Sequence, residues 1–204
     1  MDLGSPGSDL LGATEASLLR ALNRLPLGSS GRRLAKLAGV PSHSTALRAL
    51  ARLEANGLLE SESIAPSTIY RINRSHFYWP SIERIFNLRS AIDNVIQGIA
   101  ERSTGESATI AVFGSFVREE AGPNSDLDLV VVVNRSEDAV VREALIDDLE
   151  SALTAFLGNP VQIVDLDDEQ MTQMVRSRDP LIESWRREAR TIVGQPLNWW
   201  MRAQ

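Results

Sequence analysis

Two aspartates one residue apart, Asp126 and Asp128, stand at the head of an apolar run that continues to Val133. A small pair, Gly114-Ser115, closes an earlier apolar run over residues 110–113. Short β-branched runs bounded by turn residues read as buried strands. On a strand, residues two apart emerge on one face, so both carboxylates point the same way. Side by side they repel each other and are costly to desolvate unless a cation lies between them. A divalent cation, magnesium first, with a nucleoside triphosphate as its other ligand, meets that need with oxygen donors. Gly114 and Ser115, where the first strand ends, let backbone N–H groups and a hydroxyl approach phosphate oxygens closely.

The arrangement Gly-Ser, ten residues, Asp-x-Asp resembles the minimal nucleotidyltransferases of the polymerase-β-like superfamily, over residues 108–195. Gly114, Ser115, Arg118, Ser125, Asp126 and Asp128 match that pattern; Glu119 stands where the family usually has a glycine. The resemblance implies transfer of a nucleoside monophosphate from ATP or another triphosphate to an acceptor, with Mg2+ and release of pyrophosphate. It implies Asp126 and Asp128 as catalytic metal ligands, and Gly114, Ser115, Arg118 and Ser125 on the nucleotide. Charge-assisted bonds from Arg118 would be the strongest of these contacts. A lone Asp-x-Asp would suit an ordinary strand–turn–strand with an acidic turn.

The family's third carboxylate sits on the strand after the next helix, and laid on residues 161–164 its place is taken by Gln162. Glutamine offers a neutral oxygen and no charge. Asp165 is the nearest acid on that strand and is carried as a third metal ligand, but its parity is opposite. It reaches the cleft only if the strand bulges or ends. Asp167 and Asp168 read as a helix cap. The pattern is also similar to antitoxins that adenylylate a partner toxin, which implies a protein acceptor.

The elements that must position these residues alternate strand and helix, as in an α/β half built on a mixed sheet. Residues 136–158 carry a helical stripe (Val141, Leu145, Leu149, Leu153, Phe156) with Ser136 as its cap, and residues 160–166 form a further strand. Two helical stretches split at Asp179-Pro180 and a last strand over residues 191–193 follow. Ahead of the motif, residues 81–102 read as one long helix. Its positions 85, 88, 92, 95 and 99 have the spacing of a coiled-coil seam, so a homodimer is one use for it.

The first third of the chain reads differently. Residues 1–12, rich in Gly, Ser and Pro, are expected to be a disordered tail. Three short helices follow, the third capped by Ser42 with Leu47, Leu50 and Leu53 as its apolar stripe, then two strands around Ala65-Pro66-Ser67. That order resembles the winged helix-turn-helix domains of bacterial transcription regulators. His43, Ser44, Thr45, Arg48 and Arg52 would face double-stranded DNA. Against this, Glu60 and Glu62 precede the tip of the wing, where a phosphate-gripping hairpin should be basic.

Composition bounds these readings. Residues 1–75 carry nine basic and six acidic side chains, whereas residues 76–204 carry twelve and twenty-one, so nucleic acid suits the first part better. The 204 residues contain no cysteine, which excludes disulfides and thiolate zinc sites. No apolar run spans a membrane and no signal pattern opens the chain, so the expectation is a cytoplasmic, prokaryotic protein. The expected fold class is a two-domain α+β / α/β chain: tail 1–12, winged helix-turn-helix 13–75, aromatic joint and connecting helix 76–103, and minimal nucleotidyltransferase domain 104–204. The expected function is a DNA-binding nucleotidyltransferase. The alternative is a transcriptional regulator whose nucleotidyltransferase-like half senses a nucleotide, or mediates an interaction, without turnover. An aminoglycoside-modifying enzyme is disfavoured, since no second substrate-binding domain is left in the chain.

Overall fold

The computed structural model describes residues 1–103 and 108–202, so the expected domain boundary at residue 104 lies outside the described residues. Two compact units divide the chain near Leu88. In the first, α1 (Ser8–Leu11) and α2 (Ala13–Asn23) are followed by β1 (Ser29–Ser30), α3 (Gly31–Leu37) and α4 (His43–Ala55). The hairpin β2 (Leu59–Ile64) and β3 (Ser67–Ile72) and then α5 (Trp79–Phe86) complete it. Its sheet has the order β1-β3-β2, antiparallel throughout. Leu18, Leu19, Leu22, Leu34, Leu50, Leu53 and Trp79 make the core.

Three expectations for this unit need correction. Residues 4–12 are folded rather than a tail: the Asp2 carboxylate accepts the N–H groups of Gly4 and Ser5, and α1 follows. The apolar stripe of α4 runs through Ala46, Ala49, Leu50 and Leu53; Leu47 lies at its margin and is 38% exposed. The long helix is two helices, because Asn87 leaves helical geometry (φ −91°, ψ 28°) and α5 ends there. Asparagine competes with the helix for its own backbone, so a break there is inexpensive.

The second unit contains α6 (Leu88–Ser103), β4 (Ala108–Phe113), α7 (Gly114–Val117), β5 (Leu127–Val133), α8 (Ala139–Leu157) and β6 (Val161–Asp167). It closes with α9 (Asp168–Ser177), α10 (Pro180–Glu188), β7 (Arg190–Val193) and α11 (Leu197–Trp200). The strand order is β6-β5-β4-β7, with β5 and β6 parallel and the other pairs antiparallel, a mixed sheet. A parallel pair needs a crossover, and α8 supplies it, capped by Asp138 rather than Ser136. Of the heptad-spaced positions, Leu88, Ile92 and Ile99 are buried within the chain, the packing on its own core that so short a seam allows.

Sheet parity fixes what surrounds the carboxylates. Val130 and Val132 share a face of β5 with Asp126 and Asp128. They pack with Phe113, Leu166, Met171, Ile182 and Trp185, so α9 and α10 cover that face. One residue near it is conformationally strained. Glu119, just past α7, has φ 63°, a left-handed position where a Cβ costs about 1 kcal/mol and glycine costs none. The family's glycine there thus has a backbone reason. Glu119→Gly gives up only an exposed contact with Arg89 at 3.3 Å, worth a few tenths of a kcal/mol. The expected net gain is about 0.5–1 kcal/mol, a rise in Tm of about 1–4 °C by calorimetry. A lowered Tm would show that the Glu119 side chain, not its backbone, decides stability.

Candidate functional site

Phe113 pairs with Asp128 across the β4–β5 ladder, so the end of one strand and the start of the next share one edge of the sheet. Directly after Phe113 the chain turns through Gly114 at φ 75° into α7. A Cβ on Gly114 would lie 2.9 Å from Asp128 Cγ, too close to tolerate. Glycine is therefore required twice, by its backbone angle and by the approach of a carboxylate to the main chain. Ser115 follows in the first turn of α7, and its carbonyl accepts the Glu120 N–H at 2.9 Å, closing the turn that contains Glu119.

The loop before the aspartates is pinned from below. Asn159, 2% exposed, donates to the carbonyl of Ser125 at 2.8 Å and to that of Pro123 at 3.3 Å. The Ser125 hydroxyl accepts the Gly122 N–H at 2.9 Å. Ser125 thus holds the loop that aims Asp126, and its oxygen already carries a bond.

Burial pushes the Asp128 carboxyl up from 3.8 to about 6, and repulsion from Asp126 and Glu188 adds to the rise while Arg118 opposes it. Two acids without a compensating cation produce this signature. Gln162 lies opposite Asp128 in the parallel ladder, and its Nε2 donates to Asp126 Oδ2. Gln162 therefore stands beside both aspartates on the neighbouring strand.

Asp165 is a correction. The β5–β6 register runs without a bulge from Leu127–Val161 to Val133–Asp167, so the opposite parity of Asp165 is kept. It faces away from Gln162, beside Val131, and accepts the Arg142 Nε at 2.8 Å and 3.0 Å. It is not part of the site. Among the described residues, no group of three His, Cys, Asp or Glu side chains could hold a metal ion. Asp167 caps α9 together with Gln170, as expected of it.

Arg118 is not free to meet a phosphate with its whole fork. Its Nε donates to Glu120 at 2.7 Å, and its Nη1 donates to both oxygens of Glu188 at 2.8 Å and 3.0 Å. Those bonds, with Glu120 first, raise its pKa further above the ordinary arginine value. Glu188, the last residue of α10, is the partner of Arg118 that the sequence did not disclose; an acid in Arg-Arg-Glu at a helix end carries no motif. Its side chain is 6% exposed. Burial alone would raise its pKa, but hydrogen bonds from Arg118 and Ser184, with help from the Gly114 backbone, hold it below the ordinary range.

Residues 92–190 match the nucleotidyltransferase domain family. Every residue of this site lies inside that nucleotidyltransferase match, which spans just under half of the chain. Among solved structures, a toxin–antitoxin complex with AMP-PNP is similar at 20% identity over 53% of this chain and 80% of that one, with a TM-score of 0.38. Another is a tri-AMPylated Shewanella oneidensis HEPN toxin in complex with its MNT antitoxin, at 18% identity over 55% and 80%, with a TM-score of 0.35. No curated protein matches the chain.

The residues expected on DNA lie along α4 in the first unit. His43, Ser44 and Arg48 are exposed, and Thr45 is half-buried with its N–H donated to the capping Ser42. Arg52 is exposed but ion-paired with Glu15 of α2, which compensates its charge.

Because the folded state holds Asp128 above its unfolded pKa, it favours the protonated form. The stability this contributes is present below about pH 4 and is lost as pH rises through about 6. Allowing for solvent screening of a half-buried group, Asp128→Asn should stabilise the metal-free fold at pH 7.5 by about 1–2 kcal/mol and little near pH 4. Urea unfolding in chelator at the two pH values measures it; equal gains at both would refute the assignment.

Proposed function

We propose that the second unit binds a nucleoside triphosphate with a divalent cation and transfers the nucleoside monophosphate to an acceptor, with release of pyrophosphate. The observation that carries this reading is the meeting of Asp126, Asp128 and the Gly114 turn at one sheet edge, with the Asp128 carboxyl pushed up by burial and then by Asp126. Asp126 and Asp128 would hold Mg2+ through their carboxylate oxygens, together with phosphate and water oxygens, since Mg2+ is commonly bound by only one or two carboxylates. The bound ion supplies charge stabilisation at the phosphates.

The protein's own groups do the positioning. The Gly114-Ser115 turn brings main chain against the phosphates, Asn159 and Ser125 hold the loop that aims Asp126, and Arg118 offers its remaining N–H groups to a phosphate oxygen. An acceptor oxygen bonds to the α-phosphorus as the bond to the pyrophosphate oxygen breaks. A protein hydroxyl is the acceptor class favoured by the sequence resemblance to adenylylating antitoxins.

A second reading is favoured by Gln162. With an amide where a third carboxylate is expected, the unit binds the nucleotide and does not turn it over, serving as a sensor or interaction module. Incubation with Mg2+ and each α-32P-labelled triphosphate, with and without cell lysate, separates the two. Transfer of label to a protein or nucleic acid, reduced at least 100-fold by Asp126→Asn with Asp128→Asn, is the outcome expected of the transferase. Nucleotide bound without transferred label would establish the sensor instead.

We further propose that the first unit is a winged helix that brings the protein to double-stranded DNA through α4, in the cytoplasm. The order of three helices and a hairpin, and the exposure of His43, Ser44 and Arg48, support it. Compensation of Arg52 by Glu15 and the exposed Glu60 and Glu62 on β2 weigh against it. Arg48→Ala should weaken retardation of a promoter fragment several-fold and reduce the salt slope by about 1. Unaltered retardation would remove α4 from the DNA interface.

A further inference from the structure

We infer that Glu188 is a positioning residue for nucleotide binding, anchoring Arg118 from the protein side so that one arm of its guanidinium is left for the triphosphate. The inference rests on the transferase or sensor reading of the same site and adds a residue to it that lies 60 positions beyond the Asp-x-Asp pair.

The two carboxylates on Arg118 are not equivalent. Glu120 is 65% exposed, contacts only Nε, and lies two residues away on the same loop. Such a contact is screened and exchanges readily with water or a phosphate oxygen. Glu188 comes from another element, is 6% exposed, and takes Nη1 with both its oxygens. Its Oε1 also accepts the Ser184 hydroxyl at 2.8 Å, one turn earlier on α10, so its own rotamer is fixed. Among the described residues, Arg118 Nη2 makes no hydrogen bond to the protein. The guanidinium is therefore held on one side, loosely satisfied on a second, and open on a third.

The anchor is tied to the phosphate turn as well. The Gly114 backbone also favours the charged form of Glu188, so the anchor of Arg118 lies beside the Gly114 turn. Holding both anion-facing elements in advance lowers the ordering cost that a nucleotide would otherwise meet on binding. A guanidinium arm left free selects for phosphate oxygens, of which a triphosphate offers more than a monophosphate. Removing the charge of a buried partner leaves the arginine free to pair with Glu120 in other rotamers.

The test is calorimetric titration of the full chain with Mg-ATP and with AMP, in the wild type, Glu188→Gln, Arg118→Gln and the double variant, with thermal unfolding of each. Glu188→Gln should weaken Mg-ATP about 10-fold and leave AMP unchanged within about 2-fold. In the Arg118→Gln background it should add little, since two residues acting through one contact are non-additive. Glu120→Gln should leave Mg-ATP unchanged or slightly tighter. Additive losses in the double variant, or equal losses for ATP and AMP, would make Glu188 a general structural residue and overturn the inference. Should Glu188→Gln not fold, Arg118→Lys, which can still pair with Glu188 but lacks the second arm, must lose Mg-ATP affinity and keep its Tm; retained affinity overturns the inference. A wild type that binds no triphosphate would instead overturn the nucleotide reading on which it stands.

Discussion

The antiparallel pairing of β4 with β5 is the constraint on which the second unit depends. It sets Phe113 against Asp128, and every other feature of the site follows from that register. A shift by one residue would turn both aspartates to the opposite face and separate them from the Gly114 turn. The core secures the register: Val130 and Val132, on the carboxylate face, are completely buried under α9 and α10. Packing of apolar side chains thereby places two charged ones.

The local electrostatics set acids against one another around a single arginine. Glu120 and Glu188 pair with Arg118, and Asp128 lies within its field with Asp126 beside it, so negative charge exceeds positive. Burial, and then repulsion from Asp126, raises the proton affinity of Asp128, while Glu188 is stabilised by direct hydrogen bonds. Distinct environments thus divide the acids into one group able to receive a cation and another committed to holding the arginine.

What the sequence discloses is largely local. The strands on either side of the motif, the glycine turn, the two aspartates on one face and Gln162 opposite them all follow from short-range pattern and strand parity. Glu188 does not, because its relation to Arg118 exists only after α10 folds across the sheet. The same limit applies to Arg52, whose partner Glu15 lies in another helix. Asn87 ends α5 in the middle of an apolar pattern that continues in phase, so periodicity alone joins two helices that the backbone separates. The order in residues 4–12 was hidden by their Gly, Ser and Pro content, although Asp2 carries the means to close a turn with Gly4 and Ser5.

The unbroken register of β5 with β6 has a consequence for how this chain relates to its own history and to design. Since residue 162 lies squarely across from residue 128, the backbone already presents a third acidic ligand's place, furnished with an amide. One codon separates the present chain from a three-carboxylate centre, with no loop to rebuild and no strand to re-register. The scaffold thus keeps both a charged and a muted form of the same site within reach of a single substitution.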